Sequence, residues 1–437
     1  MKLINTQHQV KTLKVLPQWE GQGAKEELFK AYVREFEFLN QDINIELVNW
    51  DNENYNNIGN NGKNIIYENI KINKPIIDVV LMGRHYEEVA KLTGDPSWQF
   101  KYMVNFADND YFIKNTRLQI LKNTTNLEYG SHFPGPFIEG QYYTLWCNTN
   151  LADKIGMEIK KTEMTADDFM SYIKAVNDYN QRNPGDVIIA MNQYNNWNWS
   201  YIWSFHLFLS ALQNNKLGLT KGFHPDKYYA WIKTMHYLEE LGANNIYARN
   251  DECLRYSEKN SYFIEQENSL FMAQGSWMFN VWEGIYGDKA SHFVPVEFPV
   301  FQPMNTYPCD YEPVWGVFNH SENKEEGIRF LNGFFKSSFA EDWTKITKTP
   351  TGIKTPMSEL FLGQHPVEFF SEYIMNRYSE QFYKIGYTQF ENDVMGFFTD
   401  SLLLVQPILD GKVNAAEAQK WINAHLSKKQ LEMLSAK

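Results

Sequence analysis

The sequence predicts an α/β protein built in two lobes, on three observations. At 437 residues the chain exceeds what one hydrophobic core usually organises, so two domains are the default. Within residues 10–90, strand-like apolar runs alternate with stretches of helical periodicity, the pattern of a parallel sheet covered by helices. Beyond the turn-rich "SHFPGPFIEGQ" (131–141) strand and helix signals resume.

"TLKVLPQW" (12–19) reads as a short buried strand stopped at Pro17. The following "EGQGAKEELFKAYVREFEFLN" places Leu28, Tyr32, Phe36 and Leu39 at helical spacing. In "INIELVNW" (43–50) Ile43, Ile45 and Leu47 alternate inward as a second strand. An Asn-rich connection over 49–64 and a helical stretch lead to "IIDVVLMG" (76–83), an almost continuous apolar strand. Ligands of such units lie beyond the strand C-termini, here Trp19–Gln22 and Met82–Tyr86.

"YYTLWCN" (142–148) is strand-like, and Cys147 within it reads as a small buried hydrophobe. Thr165 precedes a helix with Asp168 at capping-box spacing. "DVIIAMN" (186–192) is a further buried strand that runs into the aromatic stretch "MNQYNNWNWSYIWSF" (191–205). Helices are expected over about 200–214, 225–242 and 258–272, with Ile202, Phe205, Leu209 and Leu212 forming a buried stripe. "HFVPVEFPVF" (292–301) reads as strand, and 323–347 and most of the last hundred residues as helix.

Composition narrows the function. A net charge of -12 and a pI near 5.4, without a Lys/Arg stripe, argue against nucleic acid or anionic membranes as partners. With a mean hydropathy of -0.50, no apolar run approaches the roughly 20 residues of a membrane span. Three dispersed cysteines suggest neither a disulfide framework nor a zinc site. The N-terminus lacks the apolar core of a signal peptide, so the protein is either cytoplasmic or has lost a leader.

Order and local motifs resemble the family 1 extracellular solute-binding proteins, the sugar-binding subunits of ABC importers that include maltodextrin-binding protein. "YYTLWCNTNLADKIGMEIKKTEMTADDFMSYIKAV" is similar to that family's strand, Tyr-Asn-Lys-Asp-Leu, Gly, Pro-Lys-Thr-Trp-Glu-Glu-Phe passage. "FIEQENSLFMAQGSWMFNVW" resembles its Phe-x-x-Gly-x-x-Ala-Met-x-x-x-Gly-x-Trp motif. "FPVFQP", "VWGVFNHSENKEEGIRFLNGFF", "TPTGIKTP" and "ILDGKVNAAEAQKWI" follow in the family's order. The chain departs from the pattern at "CNTN", "TEMT" and "ENS", which marks a divergent branch.

The resemblance implies a two-lobed periplasmic-binding-protein fold of type II, a Venus flytrap with a ligand cleft between its lobes. One lobe would take residues 1–137 and 293–343 and the other 138–292 and 344–437, with hinge crossings near 134–141 and 292–299. It also implies a carbohydrate ligand, an ABC permease partner, a monomer, no cofactor, and an extracytoplasmic location with the export leader removed.

Sugars want aromatic rings against their C–H faces and planar polar groups around their edges. Trp277, after Gly275, matches a family position that stacks on sugar and is the leading candidate. Tyr194, Asn196, Trp197 and Trp199 occupy the strand-to-helix passage of the second lobe. Strand ends in the first lobe contribute Trp19, Glu20, Gln22, Arg84 and His85, and the first crossing contributes Glu139 and Gln141. Trp315, Gly316, Phe390 and Glu391 complete the set. A core role is the competing reading for each ring, and a solvated or hinge role for each polar group.

The rival function is a glycoside hydrolase, which needs two carboxyls about 5–5.5 Å or 6.5–9.5 Å apart. Glu20, Glu139 and Glu312 could be recruited for it, but no catalytic triad, P-loop or Rossmann pattern occurs. No catalytic or metal-ligating residue is assigned, so a binder is the expectation.

Overall fold

The computed structural model describes residues 10–17, 19, 23–48, 62–72, 76–82, 85–117, 121, 132–192, 199–220, 222–247, 264–311, 315–336, 338–349, 351–354, 365–378, 382–383 and 404–436. Its strands are β1 (Lys11–Leu16), β2 (Ile43–Leu47), β3 (Val79–Leu81), β4 (Gly140–Asn148), β5 (Ile189–Asn192), β6 (Ser269–Gly275), β7 (Phe293–Val296), β8 (Tyr307–Tyr311), β9 (Trp315–Val317) and β10 (Phe382–Tyr383). The chain forms two compact units: Met1–Gln141 with Tyr311–Leu362, and Tyr142–Asp310 with Gly363–Lys437.

The first unit carries a four-stranded sheet in the order β2-β1-β3-β9. β1 pairs in parallel with β2 and β3, and β9 runs antiparallel to β3. Leu13, Val15 and Leu16 are wholly buried, as expected of a parallel strand covered on both faces. The helix Ala24–Leu39 buries Phe29, Tyr32, Val33 and Phe36. Its buried face is therefore rotated from the expected one, and Leu39 is exposed. Gly135 lets the segment before β4 approach β9, because a Cβ there would lie 2.0 Å from the Trp315 carbonyl oxygen.

The second unit holds a six-stranded sheet, β10-β8-β4-β6-β5, with β7 paired to β4. β5 and β6 are parallel, whereas β4 runs antiparallel to both β6 and β7. Along the helix Trp199–Ala211, Ile202, Phe205 and Leu209 are buried as expected, as is Leu212 just past its end, and Trp203 is buried with them. It packs on the helix Pro225–Ala243, which in turn packs on Val405–Leu409. Thr165 caps the helix Ala166–Arg182 in a complete capping box with Asp168. Cys147 is buried, and burial pushes its thiol's proton affinity up.

Three expectations are corrected. Residues 269–272 belong to β6 rather than a helix, since their apolar run lies between β4 and β5 with both faces covered. The second crossing does not fall at 292–299, because β7 completes the sheet of the second unit and the chain leaves that unit after Asp310. The return does not fall at 343/344 either. The helix Phe339–Thr347 packs on Ala24–Leu39, and Arg117 Nε donates to the Thr351 carbonyl at 2.6 Å, holding both stretches in the first unit. The first passage between units, after Gln141, lies at the edge of the expected 134–141 segment.

Candidate functional site

Trp277 lies two residues past β6 and immediately before the helix Met278–Tyr286. The backbone between them is pinned to β4: the Ser276 N–H donates to the Tyr142 carbonyl at 2.8 Å, and the Tyr142 N–H to Ser276 Oγ at 3.1 Å. With helical angles (φ -63°, ψ -20°), Trp277 directs its side chain back towards the preceding residues. The indole consequently lies over Gly275, whose absent Cβ would sit 2.1 Å from two ring atoms. Tyr143 meets the indole edge-to-face, with centroids 5.3 Å apart at 89°. Trp277 remains partly exposed on the second unit's main core. The result is a fixed, partly open aromatic surface at a strand end.

The first unit treats its candidate tryptophans differently. Trp19 is 2% exposed and Trp315 fully buried, so both are corrected to core residues. β9 pairs with β3, and Trp315 enters an aromatic cluster where Phe29 stacks on it at 5.3 Å and Trp19 meets it edge-on at 5.4 Å. Trp343 closes the cluster 4.6 Å from Trp19. Gly316 is also corrected: it is buried and makes room for the Met82 and Met103 side chains, 3.2 and 3.3 Å from where its Cβ would be.

Glu139 is likewise committed internally. It is 8% exposed and forms a short ion pair with Lys25, itself 6% exposed and 5.4 Å from the Trp343 ring centroid. The sequence reading missed Lys25. Its signal is a cation in the first turn of a helix, where the dipole disfavours it unless a partner is near. Gln141 lies half-buried on β4.

Trp199 and His85 open the helices Trp199–Ala211 and His85–Thr93, and their side chains lie outside the described residues. Glu20, Gln22, Arg84, Tyr194, Asn196, Trp197, Phe390 and Glu391 also lie outside them. Among the described residues no group of three His, Cys, Asp or Glu side chains could hold a metal ion. No described helix is long and apolar enough to cross a membrane.

No family model matches the sequence, and no curated protein matches it. Solved structures do match. The cyclic α-maltosyl-1,6-maltose binding protein of Arthrobacter globiformis aligns at a TM-score of 0.64 and 14% identity, over 97% of this chain and 99% of its own. Apo RafE from Streptococcus pneumoniae aligns at 0.62 and 13%, over 98% of each chain. The MsmE binding protein of Bacillus subtilis, in an open conformation, aligns at 0.60 and 15%, over 98% and 99%. The chain thus has the two-lobed α/β fold of the type II periplasmic-binding class.

Proposed function

We propose that this chain is an extracytoplasmic carbohydrate-binding protein that captures a sugar or oligosaccharide by lobe closure and delivers it to the permease of an ABC importer. The observation that carries this reading is end-to-end likeness: neighbours named for cyclic maltosyl-maltose, raffinose, maltose and chitin oligosaccharide align over 95–98% of this chain. Trp277 supports it locally, as a held, partly exposed ring suited to the C–H face of a pyranose. The protein acts as a monomer in this reading, and its partners are the sugar and the permease.

The hydrolase alternative loses support at Glu139, whose carboxylate is already paired with buried Lys25. Hydrolysis would leave Glu20 and Glu312 to serve as acid and base. A binder needs neither.

A thermal-shift and calorimetric screen against raffinose, maltotriose, xylotriose, chitotriose and their monosaccharides tests the proposal. One or more glycans should bind near micromolar, about -8 kcal/mol, and be recovered chemically unchanged. Turnover of the bound glycan, or no binding to any of them, would overturn it.

A further inference from the structure

The contacts around Trp277 assign work to two of its immediate neighbours. We infer that Gly275 and Tyr143 are positioning residues that hold the Trp277 indole in one orientation before ligand arrives, an inference that rests on the carbohydrate-binding reading.

Three observations converge. Tyr143 and Gly275 are direct register partners across β4 and β6, so the phenol and the missing side chain stand side by side. The indole fills the space above Gly275: a Cβ there would lie 2.1 Å from Cη2 and Cζ3 and 2.4 Å from Cε3. Gly275 is absent from the glycines with positive φ, so close approach rather than backbone conformation explains it. Tyr143 is 7% exposed and meets the ring at 89°, fixing its rotation about the side-chain torsions.

The backbone adds the remaining constraint. Both hydrogen bonds between Ser276 and Tyr142 hold the strand end in register, so the ring cannot drift by sliding of the main chain. A ring held this way surrenders little rotamer freedom on stacking, and preorganisation of that kind raises affinity without a new contact. Affinity should therefore depend on Gly275 and Tyr143 although neither need touch the glycan.

The test uses full-length protein labelled with 5-fluorotryptophan, the Trp277 resonance being assigned by its loss in Trp277→Phe. In Gly275→Ala the added methyl must displace the indole. The ¹⁹F resonance should shift or broaden in the ligand-free protein, and affinity for the glycan bound by wild type should fall at least tenfold. Tyr143→Leu should broaden the same resonance and weaken binding, whereas Tyr143→Phe keeps the ring edge and the wild-type resonance. An unchanged resonance with affinity within twofold of wild type in Gly275→Ala would overturn the inference. Failure of wild type to bind any glycan would sink the carbohydrate reading instead, and the ligand-free spectra would still decide the orientation.

Discussion

At the residue scale, exposure separates tryptophans that look equivalent in the sequence. Trp277 is partly exposed, whereas Trp19 and Trp315 are sealed in the first unit's aromatic cluster. Trp277→Ala should therefore abolish glycan binding while lowering the thermal midpoint by less than about 5 °C. A large fall in midpoint would make Trp277 a core residue. Trp315→Ala should do the reverse and destabilise the fold by about 3–5 kcal/mol, measured by denaturant unfolding. Lys25 and Glu139 form a buried pair, so removing one charge strands the other. Lys25→Met alone should cost about 3–5 kcal/mol, and Lys25→Met with Glu139→Leu should recover most of it. Double-mutant cycles on urea midpoints check this, and additive losses would refute the coupling.

At the element scale, caps and close contacts set the helices. Thr165→Ala removes the acceptor for the Asp168 N–H and should cost about 1 kcal/mol. Gly242 shows the opposite sensitivity, because a Cβ there would lie 2.6 Å from the Leu409 carbonyl oxygen. Gly242→Ala must push the helix Val405–Leu409 away and should cost about 1–3 kcal/mol in chemical unfolding. The capping box was legible because its spacing is local. The strand over 269–275 was not, since a short apolar run carries no helix-or-strand period until its sheet partners are known.

At the scale of the whole molecule, Glu297 couples stability to pH. Its buried carboxylate accepts from the Tyr378 hydroxyl at 2.5 Å, the Tyr373 hydroxyl at 3.4 Å and the Glu163 N–H. Burial raises its proton affinity, and these donors and Arg377 only partly offset that. A carboxyl raised in the fold contributes stability that is full below its ordinary value of 4.5 and lost as pH climbs through the raised one. Each tenfold rise in proton affinity corresponds to about 1.4 kcal/mol. Wild type should therefore lose stability relative to Glu297→Gln from pH 4.5 to pH 8, measured by urea midpoints. A gain over that interval would contradict the assignment.

The sequence by itself determined the fold class, the alternation of strand and helix from β1 to β3, the Thr165 cap and the buried stripe from Ile202 to Leu212. Each of those rests on local spacing or on motifs in register. It also singled out Trp277, through the resemblance of "FIEQENSLFMAQGSWMFNVW" to a family motif whose Trp stacks on sugar. Only the tertiary structure decided that Glu139 belongs to Lys25, that Trp19 and Trp315 are core, and that the second crossing follows Asp310. These are long-range facts: a ring or a carboxylate reads the same in sequence whether its partner lies across a sheet or its face meets water.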